Sequence, residues 1–457
     1  MLKLWNTASR SLVEVEPIET GKIGMYACGP TVYQRAHIGN LRAYVMEDIL
    51  RRSLEADGLR VKHVVNITDV GHLTDDADGG QDKMEKASQT TGESAWEIAR
   101  RYTNQFVDDL KRLNILAPSS MPKATDHIQE QIDLIKTLEE KGATYRTSDG
   151  IYFDTSTFPD YGKLSGQPLE EKEEGARVMA NAEKKHPTDF ALWKFSPAGE
   201  KRQMEWESPW GMGFPGWHIE CSAMARKELG QPFDIHAGGV DHIPVHHENE
   251  IAQSVAAYGS PLANVWFHVE FLLVDGQKMS KSLGNTFTLD DLTERGFDPL
   301  DFRYFLLGAH YRQKQNFTWE ALQAAKNART KLVRTVRDWK TPLIGSVNTE
   351  AEFLSAMHDD LNTPRALAVL WKLVDSDEST DAKSETILLM DRILGLGLTD
   401  AVAKPSTVPE DVLWLMEERK KAREEGSWAE SDRLRDEILS RGWMIEDTKE
   451  GQKAYPV

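Results

Sequence analysis

Cysteine is almost absent from this chain of 457 residues, which carries only Cys28 and Cys221. That scarcity leaves no disulfide framework and agrees with a reducing compartment. Long apolar runs are missing too, so no stretch of about 18 apolar residues is available to span a bilayer. Leu2 to Glu14 mixes charges among its apolar residues, unlike a secretory leader. The expectation is a cytoplasmic protein with no membrane partner. Positive charge is also in short supply: 55 Lys and Arg stand against 73 Asp and Glu, a net charge of −18. This balance argues against a globally nucleic-acid-binding surface while leaving local basic stripes open.

What the chain does have is length and apolar content, 40% hydrophobic residues over more chain than one core usually serves. Two or three domains are expected. Short β-rich runs alternate with helical patterns at the start: Ile23 to Cys28, a helix from about Asn40 to Glu55, then Val61 to Ile67. Such alternation reads as an α/β protein with a parallel sheet. A charged helical stretch from Gln81 to Asn114 follows, then an irregular Gly-, Pro- and charge-rich region from Arg146 to Pro209, read as an insertion. The α/β pattern resumes with a helix after Cys221, a strand Phe233 to His236, a helix from His246 and the apolar run Val265 to Val274. The sheet domain is expected to close near Leu307.

From Trp319 the pattern is helical, with Ala321, Ala325, Ala328, Leu332, Val336 and Trp339 in one apolar arc. Lys326, Arg329, Arg334, Arg337 and Lys340 share another face, a basic cluster suited to phosphate. Gly395 to Pro409 reads as a linker, and beyond it a small module contains a helix around Trp428 to Ser440.

Both cysteines sit in dense motifs, Tyr26-Ala27-Cys28-Gly29-Pro30-Thr31 and Gly216-Trp217-His218-Ile219-Glu220-Cys221. The run His246-His247-Glu248-Asn249-Glu250 adds imidazole and carboxylate, giving a Cys/Cys/His/Glu set that suits zinc. Two isolated cysteines alone would read as buried and inert. Spacing leaves the imidazole open, because His242 and His246 are separated as His246 and Glu250 are, and His247 is adjacent. His37-Ile38-Gly39-Asn40 follows a strand and leads into a helix, where α/β sheets bind phosphate. Lys278-Met279-Ser280-Lys281-Ser282-Leu283-Gly284-Asn285 describes a basic loop able to cover a polyphosphate.

These two signatures, in this order and separated by most of an α/β domain, resemble those of class I aminoacyl-tRNA synthetases. Cys28 to Tyr33, Asn66-Ile67-Thr68-Asp69-Val70, Gly216 to Met224, His246 to Glu250 and Asn316-Phe317-Thr318-Trp319 narrow the resemblance to the cysteinyl-tRNA synthetase family. Even the tail, Ser431 to Asp436 and Ile445 to Thr448, is similar to that family's terminal module. The likeness implies a Rossmann-like catalytic domain over 1–307 with an insertion at about 115–209. A helical, tRNA-contacting bundle over 308–398 and an anticodon-side module over 409–457 would follow.

By the same resemblance, one Zn²⁺ per chain is held by Cys28, Cys221, His246 and Glu250, with His242 only a neighbour. Gly29, Thr31 and Thr68 hydrogen-bond the amino acid, and Trp217 packs beside it. ATP, with Mg²⁺, lies against His37, Gly39, Gly238, Gly239, Asp241 and Lys281. His37, Asn40, Lys278 and Lys281 stabilise the charge that develops during adenylate formation. The partners implied are L-cysteine, ATP and tRNA(Cys), acting on a monomer. Two departures stand out: Asn40 replaces the histidine that ends many class I signatures, and Phe214 replaces an arginine before Pro215-Gly216. Two other readings share the motifs, a ligase that joins cysteine to an amino sugar in mycothiol synthesis and a noncatalytic tRNA-binding paralogue. The basic helix and terminal module favour tRNA over the sugar, and the presence of His37 and Lys281 favours catalysis.

Overall fold

The computed structural model describes residues 1–71, 83–166, 182–197, 199, 202–280, 283–403, 408–448 and 451–456. At its centre lies a parallel sheet of four strands in the order Ala263–Val269, Phe233–Gly239, Lys22–Ala27, Arg60–Val65. Strands covered on both faces read as apolar runs, and Met25, Tyr26, Ala27, Ile235, Ala237 and Phe267 are all fully buried. From Lys22–Ala27 the chain moves to Arg60–Val65 on one side and returns much later to Phe233–Gly239 on the other. Strand order therefore reverses beside Lys22–Ala27, and a crevice opens at the carboxyl ends of this strand and of Phe233–Gly239. Cys28 and Gly238 stand on its two lips.

The Ile38–Ala56 helix starts at the mouth of this crevice and packs the sheet with Leu41, Val45, Ile49 and Leu50. Its first residues form a reciprocal cap: His37 Nδ1 accepts from the Asn40 amide, and Asn40 Oδ1 accepts from the His37 amide, each at 3.2 Å. The asparagine thus serves as a capping residue at its place in the signature.

The insertion is more regular than its composition indicates. Thr144–Arg146, Gly150–Phe153, Phe190–Phe195 and Gly213–Pro215 form an antiparallel sheet of four strands. Ile151, Phe153, Phe190, Leu192 and Trp193 pack against Ile219, Ala223 and Ala252 of the parallel domain. The outer strands are only three residues long, too short to show alternation. At the departure at Phe214 the Arg202 guanidinium lies 3.6 Å from the ring centroid, so a cation still occupies the neighbourhood. The expected close of the sheet domain at Leu307 falls short, because Gln315–Phe317 pairs in parallel with Leu272–Val274.

Helices Trp319–Arg337, Val347–His358, Thr363–Val374 and Thr380–Leu394 form the bundle. Its basic face is spent largely on the protein itself. Lys326 donates to Gly296 O at 2.7 Å, Arg329 pairs with Asp301 at 3.1 Å, and Arg334 reaches Glu446 at 3.7 Å and lies over the Tyr455 ring. The expected linker contains a short helix, Leu398–Ala403, while residues 404–407 lie outside the described ones. Glu410–Glu424, Trp428–Ser440 and the hairpin Trp443–Thr448/Gly451–Pro456 complete the chain.

Candidate adenylation and metal site

The crevice at the switch point holds a cavity of about 350 Å³. Cys28, Gly29, Thr31, Thr68, Trp217, Cys221 and His246 line one end; His37, Gly39, Asn40 and Lys278 line another, and Gly238, Gly239 and Asp241 also face it. Glu250 lies behind that wall. Lys281 is outside the described residues.

Each thiol end residue is placed by a separate element. Cys28 follows the Lys22–Ala27 strand, and its amide donates to Ala237 O at 3.2 Å. Cys221 does not precede its helix as expected: it lies inside Trp217–Leu229, which starts early because Gly216 caps it. A Cβ on Gly216 would come within 2.0 Å of Ala191 O, so only glycine lets this helix begin against the insertion sheet. His246 lies in a wide π-type turn, Ile243–His247, and Glu250 sits in the first turn of Glu248–Tyr258. Four apart, the two meet with His246 Nε2 2.8 Å from Glu250 Oε1.

Cys28, Cys221, His246 and Glu250 are all buried and each offers one donor atom, all within 4.8 Å of one another. A tetrahedral zinc with bonds of roughly 2.0–2.3 Å holds its ligands about 3.3–3.8 Å apart. A contraction of the order of an ångström therefore converts this cluster into a coordination shell. A second set, Cys28, His236, His247 and Glu250, shares two members with it. His236 and His247 do not line the cavity, so only the first set presents most of its ligands to a substrate.

Electrostatics couple the same four. The Cys28 thiol donates toward Cys221 and, with His246, outweighs burial and the Glu250 charge, lowering the Cys221 thiol to about 6. Cys28 itself is pushed up by burial and by Cys221. Burial lowers His246, but Glu250 and Cys221 dominate and push it up to about 10. Glu250 is held well below the carboxylate range, since His236 and His246 overcome its burial. The cluster thus holds protons that a divalent cation displaces when it binds. Two sulfurs, an imidazole and a carboxylate fit zinc in donor type, burial and spacing.

The supporting histidines are what the motif reading missed. His218 Nδ1 lies 3.0 Å from His246 Nδ1, His236 Nε2 lies 2.5 Å from Glu250 Oε2, and His247 Nδ1 lies 2.7 Å from His268 Nε2. Such partners fix ring orientation behind a ligand. Their signal was density: six of the thirteen histidines, His218, His236, His242, His246, His247 and His268, fall within one third of the chain.

Other expected contacts are refined. The Gly29 amide is taken by Asn66 Oδ1 at 2.8 Å, so only its carbonyl is left for an amino acid. A Cβ there would lie 1.5 Å from Asn66 O. Asn66 also donates to Thr68 Oγ1 at 3.1 Å, while Thr31 and Thr68 bridge in parallel. Trp217 packs with its ring centroid 4.7 Å from His246. Gly238 does not open room for a nucleotide at its α-carbon, because an added Cβ would meet His242 Nδ1 at 2.7 Å and His247 Cε1 at 2.9 Å. Gly39 is likewise covered, by Met279 Cε. Lys278 Nζ stands 4.9 Å from the Phe271 ring centroid.

The architecture is that of class I aminoacyl-tRNA synthetases. In fold the chain resembles methionyl-tRNA synthetase of Mycobacterium tuberculosis in complex with methionyl-adenylate, with a TM-score of 0.55 and 17% identity over 84% of this chain and 92% of that one. It also resembles the LeuRS of Agrobacterium radiobacter K84 in a ternary complex with tRNA and LeuAMS, with a TM-score of 0.58, 12% identity and 86% coverage of both chains. The family profile for the tRNA synthetases class I (C) catalytic domain matches residues 14–327. Those for the DALR domain and the cysteinyl-tRNA ligase anticodon binding domain match 352–396 and 406–453. Cysteine–tRNA ligase 1 of Burkholderia lata is 55% identical over 457 residues, covering 99% of this chain and 97% of its own. The cysteine–tRNA ligase of Treponema denticola is 44% identical over 480 residues, with 98% of each chain covered. The chain belongs to the cysteinyl-tRNA ligase family.

Proposed function

We propose that the chain activates L-cysteine with ATP, forming cysteinyl-adenylate and pyrophosphate, and passes the cysteinyl group to the 3′-terminal ribose of tRNA(Cys). The observation that carries this is the placing of Cys28, Cys221 and His246 on the wall of the cavity whose mouth is the capped start of the Ile38–Ala56 helix. In the first step a carboxylate oxygen of cysteine attacks the α-phosphorus and pyrophosphate leaves. In the second a ribose hydroxyl attacks the carbonyl carbon and AMP leaves. No protein nucleophile is required.

The side chains of His37 and Asn40 and the positive end of the helix dipole face phosphate, with no acidic residue in the first helical turn to oppose them. Lys278 and Lys281 add the charge that neutralises the polyphosphate, where Mg²⁺ accompanies ATP. Thr68, oriented by Asn66, and Asp241 on the opposite lip position the amino acid and nucleotide. Cys28, Cys221, His246 and Glu250 hold zinc, which when bound favours a substrate thiolate over the poorer serine hydroxyl. An apolar pocket would separate such near-isosteres only about a hundredfold.

Metal analysis of the purified chain, combined with amino-acid-dependent exchange of pyrophosphate into ATP, tests this. About one zinc per chain and exchange with cysteine but not serine are expected. A folded, zinc-loaded sample without cysteine-dependent exchange would leave only the tRNA-binding paralogue. Exchange followed by transfer to glucosaminyl-inositol and never to tRNA would reassign the acceptor.

A further inference from the structure

Arg35 stands two residues before His37 and lines the cavity, yet no step above uses it. Its side chain is mostly buried and held by two carboxylates. Nε and Nη2 donate to Asp109 at 3.2 and 2.7 Å, and Nη2 donates to Asp290 Oδ1 at 3.1 Å while Nη1 donates to Asp290 Oδ2. Arg112 completes the group: its Nη1 reaches Asp109 at 3.2 Å and Asp290 at 2.6 Å, and its Nη2 reaches Thr293 Oγ1 at 3.2 Å. Two cations and two anions balance, with Asp109 fully buried. Every nitrogen of the Arg35 guanidinium is committed to a carboxylate, so this group is not a phosphate ligand.

Its place in the chain gives it another use. Arg35 lies on the loop that delivers His37; Asp290 lies in the Leu289–Glu294 helix, just beyond the second signature; Asp109 and Arg112 lie on the Ala95–Arg112 helix. The same two signature segments touch twice more. The Ile38 amide donates to Phe287 O at 2.8 Å, and Met279 Cε packs on Gly39 so closely that a Cβ there would lie 2.2 Å away. The two halves of the phosphate-binding apparatus come from distant parts of the chain, and this ion group is the charged member of the contacts that hold them in register.

We propose that Arg35 is a positioning residue for adenylate formation, fixing His37 relative to the segment after the second signature through Asp290. The proposal rests on the activity proposed above. Bidentate geometry is essential to it, since a lysine supplies charge without the fork. A displacement of about 1 Å at a reacting centre can cost on the order of a hundredfold in rate.

The test uses the full zinc-loaded chain with Arg35→Met, Arg35→Lys, Asp290→Asn and the double variant Arg35→Met/Asp290→Asn. Arg35→Met is expected to lower kcat of cysteine-dependent pyrophosphate exchange by about tenfold or more. The KM for cysteine, the zinc content and the transfer of preformed cysteinyl-adenylate to tRNA should stay within about twofold of the parent. Arg35→Lys should recover only part of the loss, and Asp290→Asn should slow the same step. The double variant should lose less than the product of the two single losses, because both changes break the Arg35–Asp290 link, although each also removes a pairing of its own, to Asp109 or to Arg112. A normal kcat in Arg35→Met, equal slowing of both half-reactions, or additive losses in the double variant would overturn the proposal. An unmodified chain without exchange would remove the functional reading and this proposal with it, whereas variants matching an active parent would remove this proposal alone.

Discussion

Cys221 owes its importance to sulfur, because a serine there keeps the size and a hydrogen bond but loses a soft, readily ionised donor. Burial would keep a hydroxyl protonated, whereas the Cys221 thiol is already lowered to about 6 by Cys28 and His246. Cys221→Ser is therefore expected to lose bound zinc or the rejection of serine, with melting temperature little changed. Unchanged metal content and unchanged discrimination in exchange would refute the ligand assignment. Glu47 poses a different problem on the same helix as His37's cap. It is fully buried, and neither carboxylate oxygen has a hydrogen-bond partner among the described residues. Burial pushes its carboxyl up to about 8. An acid whose folded pKa is raised binds its proton more tightly when folded, so stability is intact below the unfolded value of about 4.3 and erodes as pH rises from there. The erosion runs to about 8 and then levels off. Glu47→Met should raise the melting temperature at pH 8, with a gain that shrinks as pH approaches 5, by up to about 1.4 kcal/mol per pH unit. Thermal unfolding across that range reads it, and a gain independent of pH would remove the ionisation argument.

At the scale of elements, glycines show which contacts are rigid. A Cβ at Gly29 would strike the backbone oxygen of Asn66 at 1.5 Å, where neither partner can swing away. A Cβ at Gly39 would meet chiefly the terminal methyl of Met279, which can turn aside. Gly29→Ala is expected to cost on the order of 4 kcal/mol, roughly 5 °C in melting temperature for a cooperative unit of this size, and to abolish exchange. Gly39→Ala should fold normally and lose activity only in part; equal damage from the two would contradict this geometry. The same distinction explains how much was legible in the sequence. Ile38–Ala56 and Trp428–Ser440 were readable because long helices repeat their pattern, and the site motifs were readable because they are compact. The insertion sheet was not, because three-residue strands such as Thr144–Arg146 and Gly213–Pro215 carry no period and gain their meaning from distant partners. The histidines behind the ligands were hidden for a related reason: His218, His236 and His268 lie on three separate elements and converge only in the fold.

Across the whole molecule, the cores are divided unequally. One continuous apolar cluster runs from the sheet residues Ile23 and Phe267 through Phe302 and Leu322 to Phe353, Leu370 and Leu394 of the bundle. The sheet and bundle therefore stabilise each other, and neither should be separable without loss. The terminal module has its own cluster, Val412, Leu415, Ala422, Leu434, Ile438, Ile445 and Ala454. Inside it, Arg419 holds Asp447 through two bonds of 2.9 and 3.1 Å, tying the first helix to the hairpin. Among the described residues its ties to the bundle include the polar contacts of Arg334 with Glu446 at 3.7 Å and Lys453 with Asp338 at 3.0 Å, and the packing of Arg334 on Met444 and Tyr455. Half-exposed ion pairs of this kind contribute little, about 0–1 kcal/mol each. Among the described residues, no side chain of this module lines the cavity. A chain ending at Ala403 should thus bind zinc and catalyse cysteine-dependent exchange within about twofold of the full chain, while its kcat/KM for charging tRNA falls by on the order of a hundredfold. Parallel exchange and charging assays decide it. Loss of exchange would mean that the module supports the catalytic core, and undiminished charging would mean that tRNA is held without it.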